Sequence, residues 1–234
     1  MTETLALSLD TNDRVAVLEK EVAELRRRLT KARAEAAAAE PERLVAHELK
    51  HRAKNFLSII QSLSNQTLRG DVELSVAREA LDRRLTAMGR AIDVLLKTDW
   101  ATTELSAVVD GALAHREGFA ARFRASGPPI TIGANAAITF SMALHELEAN
   151  AIKYGALAQE GGRVDLNWSE KDGRVRLEWC ESGCKGVREP TRCGFGTRLI
   201  CDIPAKRFGA TARLDWADTG VTWTFDAPLA RLQS

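Results

Sequence analysis

The sequence lacks charge of one prevailing sign: 33 basic side chains against 32 acidic leave a formal net charge of +1. A chain without a bulk field has no long-range draw toward nucleic acid or an acidic membrane, so neither is expected as the main partner. It also lacks an apolar run long enough to cross a bilayer, and its opening, MTETLALSLD, has neither the basic start nor the apolar core of a signal peptide. No membrane insertion and a cytoplasmic location are the expectations. Cysteine is scarce. All four, Cys180, Cys184, Cys193 and Cys201, fall in one short stretch and read as free thiols in a reducing compartment. Structural zinc favours closely spaced pairs, and only Cys180 with Cys184 qualifies, so a thiolate metal site is not expected.

What the chain does have is helical periodicity. Val15, Leu18, Val22, Leu25, Leu29, Ala32, Ala36 and Ala39 alternate by threes and fours, as the a and d positions of a coiled coil do. Val at a with Leu at d favours a parallel two-stranded pair, and so a homodimer. Pro41 cannot continue the preceding helix but suits a new helix start, which sets residues 1–40 apart as a tail and coiled coil. In residues 41–97, Leu49, Ala53, Phe56, Leu57, Ile60 and Leu63 form one apolar stripe; Leu74, Ala77, Leu81, Leu85, Met88, Ile92 and Leu95 form another beyond the turn at Gly70-Asp71. Two long helices on a short turn make a hairpin, and two hairpins make a four-helix bundle in a dimer. His51 follows Leu49 by two residues, about 200° round the helix, and so points outward. Glu48 and Asn55 share its face.

The composition changes near Thr98. A helix led by Leu105, Val108, Val109 and Leu113 is followed by a short strand, the turn Ser126-Gly127-Pro128-Pro129, and a strand at Ile130 to Ile132. Arg163 to Trp168 and Val175 to Cys180 alternate about Lys171-Asp172-Gly173, a hairpin signal. A Gly-rich charged loop then leads to a helix at Phe195 to Phe208, and a last strand pair turns at Asp218-Thr219-Gly220. Residues 98–234 therefore read as an α+β sandwich with helices on one face of a mostly antiparallel sheet.

The chemistry concentrates in FSMALHELEANAIKYGAL, Phe140 to Leu157. Ala143, Leu144, Leu147, Ala151 and Ile152 recur as one apolar stripe, while Glu146, Asn150 and Lys153 fall at i, i+4 and i+7 on a neighbouring face. Carboxylate and amide oxygens suit Mg²⁺, which brings substrate phosphates with it, and a nearby ammonium suits their charge. That outline is a nucleotide site. Gly194-Phe195-Gly196 at a helix start would let backbone N–H groups approach an anion.

Three signals in fixed order, HELKHRAKN, LHELEANAIKYGAL, and WCESG followed by GFGTRLI, resemble the HWE-type histidine kinases of bacterial two-component systems. The resemblance covers Leu44 to Leu229. It implies a helical-hairpin dimerisation and phosphoacceptor domain at 41–97 and a Bergerat-type α/β sandwich that binds ATP and Mg²⁺ at 98–234. His51 matches the phosphoacceptor. His145, Glu146, Asn150, Lys153 and Tyr154 match the N-box, with Asn150 holding Mg²⁺ and Glu146 supporting metal or water. Trp179 and Glu181 match the W-x-E element, Glu181 serving the adenine amino group; Gly194 and Gly196 match the glycines that end the ATP lid. The implied activity is autophosphorylation of His51 and transfer to an aspartate of a response regulator receiver domain; Glu48, by its place one helical turn before His51, is expected to accept the other ring N–H and fix the tautomer. The alternative is a phosphotransfer protein whose ATP domain is degenerate. The sequence departs from the family pattern after W-x-E, where Ser182-Gly183-Cys184 keeps one glycine, Gly183, which is expected among the nucleotide-binding residues, and at Ile203-Pro204, which interrupts a helix.

Overall fold

The computed structural model describes residues 20–31, 54, 56–65, 67–68, 73–98, 100–113, 119–190 and 194–234. His51, Glu48 and Asn55 lie outside the described residues, as do Cys193 and most of the expected coiled coil. The chain divides into two compact units, Met1–Gln61 and Ser62–Ser234.

In the first unit, residues 20–31 are helical. Glu24 sits one turn before Arg27 and Arg28 and accepts from both, at 2.6 and 3.0 Å. The expected seam residues Val22, Leu25 and Leu29 are exposed in the single chain. Residues 56–61 are also helical, but Leu57, expected on the buried stripe, is exposed while Phe56 and Ile60 are half-buried.

The second unit opens with the end of that helix, where Leu63 is buried, and continues into the helix Leu74–Leu96. Its apolar stripe is rotated from the expected one. Ala77, Ala87, Met88, Ala91 and Leu95 are buried together with one charged residue, Arg84, whereas Leu74 is exposed. The helix ends where Trp100, in the left-handed region at φ 64, donates its N–H to the Leu95 carbonyl at 3.1 Å.

Strand β1 (Thr102–Glu104) pairs antiparallel with β3 (Thr131–Gly133), Thr103 opposite Ile132. The sequence shows no sign of β1, since three residues carry no periodicity; its partner defines it. The helix Leu105–Ala112 follows β1 and buries Leu105, Val108, Val109 and Ala112. Strands β2 (Phe123–Ser126) and β3 flank the Gly-Pro-Pro turn yet do not pair with each other, since β2 joins β4 in parallel.

The main sheet runs β2-β4-β5-β7-β6, and apart from the parallel β2–β4 pair its strands β4 (Arg163–Lys171), β5 (Arg174–Ser182), β7 (Gly220–Pro228) and β6 (Thr211–Ala217) pair antiparallel in that order. The β4–β5 hairpin turns on Asp172 at φ 54 and Gly173 at φ 70, the two positive angles that match the twist of the strands. Val164, Leu166, Val175, Leu177, Trp179, Trp223 and Phe225 fill the covered face. Over it lies the helix Ala134–Lys153, with the Phe140 ring edge-on to Phe225 at 5.1 Å. Of its expected stripe Ala143, Leu144, Leu147 and Ala151 are buried; Ile152, near the end of the helix, is 39% exposed.

The expected helix from Phe195 to Phe208 forms over those bounds, with α-helical turns at Phe195–Thr197 and Ile203–Phe208 on either side of a π-turn at Arg198–Asp202. Pro204 explains the irregularity. It has no N–H, so the Ile200 carbonyl four residues back loses its α-helical donor. The buried Trp223 indole fills the gap, Nε1–H donating to the Ile200 oxygen at 3.1 Å. The segment stays packed, with Leu199, Ile200, Pro204 and Phe208 buried.

Candidate nucleotide site

The end of the helix Ala134–Lys153 walls a cavity of about 640 Å³, in the range that encloses small ligands. Glu146, Asn150, Lys153, Glu181, Gly194 and Gly196 all line it, as does Tyr154, which is 76% exposed at the mouth. The spacing of i, i+4 and i+7 thus aims three polar groups into one space, and the sheet and the Gly-x-Gly segment bring the other residues to it. Val187, Leu214 and Val221 supply an apolar wall.

Glu181 enters from the penultimate position of β5 and is buried. Its Oε1 accepts from Trp179 Nε1–H at 3.2 Å, and its Oε2 accepts from the Ala156 N–H at 2.8 Å. Burial pushes its carboxyl above the ordinary range, and these two donors oppose the shift. Each oxygen keeps a further lone pair that can accept from a ligand N–H. Trp179 is fully buried and reaches the site only through this hydrogen bond.

Gly155 was not picked out as a site residue by the sequence. A Cβ there would lie 2.0 Å from Glu181 Oε2, so the carboxylate occupies the space a side chain would need. A signal existed in the glycine that directly follows Lys153-Tyr154, one residue before the N–H that Glu181 accepts from.

Glu146 is likewise buried. Arg84 Nε donates to its Oε1 at 2.8 Å and Nη2 to its Oε2 at 3.3 Å, a bidentate pair. Lys153 Nζ lies 3.5 Å from Glu79 Oε1, also on the helix Leu74–Leu96. Arg84 was missed too, although it follows Ala77 by two helical turns and so belongs to the buried face; a guanidinium there requires a carboxylate.

Three expected site residues do not line the cavity. His145 packs with its Nδ1 3.9 Å from Glu148 Oε2, and neither ring nitrogen has a hydrogen-bond partner among the described residues. Burial first, then Arg90, Arg83 and Arg84, push its pKa down against the pull of Glu146, so the ring is neutral. Gly183, at φ +74, ends β5 where a Cβ would meet the Gly161 carbonyl at 2.8 Å. Trp179 stands behind Glu181, as above. The segment opened by Gly194 runs through the π-turn with helical backbone angles at Thr197, Arg198, Asp202 and Ile203.

Among the described residues no group of three or more His, Cys, Asp or Glu side chains converges to hold a metal. Mg²⁺ bound with a nucleotide does not need one: one or two hard oxygens and the phosphates suffice, and Asn150 with Glu146, one turn apart on the cavity wall, have that chemistry. Among the described residues, Cys180, Cys184 and Cys201 form no disulfide. The buried Cys184 donates to the Thr219 carbonyl at 3.1 Å, a structural contact.

The α/β sandwich thus gathers a polar helix face, a buried carboxylate and a Gly-x-Gly segment around one cavity. In solved structures, the chain is similar to the histidine kinase domain of a blue-light-activated histidine kinase from Erythrobacter litoralis, with a TM-score of 0.56 at 20% identity over 76% of this chain and 86% of that one. A longer form of the Erythrobacter protein aligns with a TM-score of 0.59 at 19% identity, over 79% and 58% of the two chains. The HWE histidine kinase family profile matches residues 48–129. Over 191 residues, 80% of this chain, the sequence is 37% identical to a blue-light-activated histidine kinase of Brucella anthropi and 34% identical to one of Brucella ovis. The chain belongs to the HWE-type histidine kinase family and is related to the blue-light-activated histidine kinases. It spans 39% of the length of those Brucella relatives.

Proposed function

We propose that the chain transfers the γ-phosphoryl group of Mg-ATP to His51 and then passes it to an aspartate of a response regulator receiver domain. The convergence of Glu146, Asn150, Lys153, Glu181, Gly194 and Gly196 on one cavity carries this reading, and the kinship with histidine kinases supports it. ATP supplies the phosphoryl group, and Mg²⁺ neutralises the charge that moves with it. Asn150 and Glu146 hold the cation, Lys153 attracts the phosphates, and Glu181, oriented by Trp179, accepts from the adenine amino group. The backbone at Gly194 and Gly196 lets the phosphates come close.

Imidazole is largely neutral near pH 7, so one ring nitrogen of His51 attacks while Glu48, one turn earlier, accepts the other N–H. Residues 41–97 form the phosphoacceptor and dimerisation hairpin, and 98–234 the ATP domain. The coiled coil and hairpin pair two copies, for which the exposed Val22, Leu25 and Leu29 give support. ATP and receiver domains are found together in the cytoplasm, and that is where we place the chain; no described helix is long and apolar enough to cross a membrane.

Incubation with γ-labelled ATP is expected to give an acid-labile, alkali-stable label at His51. Label persisting in His51→Ala rejects the acceptor, and undiminished label in Asn150→Ala rejects the site.

A further inference from the structure

Of the site's polar residues, Glu146 is enclosed on two sides. Arg84 forks onto both of its oxygens. Against the other side lies Gly196, where a Cβ would stand 2.8 Å from Oε2. Arg84 is itself held, with Nη1 donating to Thr67 Oγ1 at 2.8 Å and the Phe195 ring stacked over its guanidinium at 4.6 Å. All four groups are at most part-exposed, and Arg84 and Glu146 are 6% and 8% exposed. The last polar group along the helix face, Lys153, is engaged by Glu79 of the helix that carries Arg84.

We propose that Arg84, with Thr67 and Phe195, is an autoinhibitory latch on the nucleotide site. The inference rests on the reading of this cavity as the Mg-ATP site. A carboxylate with both oxygens taken by a guanidinium and one face covered by backbone cannot serve a cation. Loading requires Arg84 to let go and the Gly194–Thr197 segment to lift.

The exchange is chemically balanced. A buried carboxylate cannot be stranded without a counter-charge, but an arriving divalent cation replaces the guanidinium, which is released to solvent, where a guanidinium needs no partner. The latch therefore yields to Mg-nucleotide at a cost in apparent affinity equal to the fraction of chains unlatched. A displacement of the helix Leu74–Leu96 along the helix Ala134–Lys153 would change that fraction. The contacts joining the two helices include Ser141 Oγ–H to the Ala87 carbonyl at 2.9 Å, so motion of one helix reaches the site as gain or loss of nucleotide binding.

The test uses the full chain, a fluorescent ATP analogue with Mg²⁺, and amide hydrogen exchange without nucleotide. Arg84→Met is expected to tighten analogue binding about tenfold or more, with Arg84→Lys in between because an ammonium cannot fork. Exchange at Gly194–Thr197 is expected to quicken at least as much in the unloaded protein. Thr67→Val, which loosens Arg84 while leaving the ion pair in place, should shift both readouts the same way by a smaller factor, and it decides the matter if Arg84→Met does not fold. Weaker or unchanged binding together with unchanged exchange in these variants overturns the latch. If instead Asn150→Ala binds the analogue as well as the parent chain does, the nucleotide reading fails, and the exchange arm judges the latch alone.

Discussion

Gly155→Ala is a one-methyl change whose cost can be worked from the geometry. The added Cβ would sit 2.0 Å from Glu181 Oε2 and 2.9 Å from the Ala151 Cα. Carbon and carboxylate oxygen settle at roughly 3.3–3.6 Å, so the carboxylate must retreat by more than an ångström, because the Ala151 backbone is fixed in a helix. The Ala156 N–H to Oε2 bond of 2.8 Å does not survive that retreat. A hydrogen bond to a charged group contributes about 1.5–3 kcal/mol, and urea unfolding should register a loss of that order as a lower midpoint at unchanged slope.

Loss of that N–H also raises the Glu181 carboxyl further, since the bond is the larger of the two that oppose burial. A folded state with a raised carboxyl pKa binds more protons than the unfolded one above the ordinary value of 4.5, so stability falls as pH rises through the window from there to the raised pKa. The Gly155→Ala deficit should therefore be larger at pH 8 than at pH 5. Nucleotide affinity should drop about tenfold, equivalent to about 1.4 kcal/mol. A variant whose urea midpoint and affinity both match the parent at pH 8 would refute the claim that Glu181 and Gly155 share this space.

Trp223→Phe should lower stability by about 1–3 kcal/mol by leaving the Ile200 carbonyl without the indole donor. Adding Pro204→Ala restores an N–H four residues on, so the double variant should lose less than the sum of the singles by at least about 0.5 kcal/mol; strict additivity in urea unfolding contradicts that account of the π-turn. His145 has a lowered pKa, so the folded state binds fewer protons than the unfolded one below 6.5, and stability should fall as pH drops through the window between that value and the lowered one. His145→Leu should flatten this acid slope in thermal unfolding between pH 7 and 5, and an unaltered slope assigns it to other groups.

The recognisable parts of this protein are those that a local rule writes into neighbouring residues. Period-two alternation marks β4, β5, β6 and β7, and Asp172-Gly173 marks the turn between the first two. Helical spacing put Glu146, Asn150 and Lys153 on one face, and they do line one cavity. The strand β1 was not legible because pairing with β3 alone defines it. Ile152 and Leu57 were misplaced because periodicity finds a stripe, while exposure depends on how far the neighbouring element extends.

By itself, the sequence determined the kinase type, the helix that bears the site's polar face and the antiparallel core of the sheet, because each follows from spacings of a few residues. Only the tertiary structure decided that Glu146 is held by Arg84, 62 residues away, that Glu181 fills the space beside Gly155, and that Trp223 mends the carbonyl Pro204 leaves open. Buried polar groups must find partners wherever the chain brings them, and which partner is reached depends on packing between distant segments that no local pattern records.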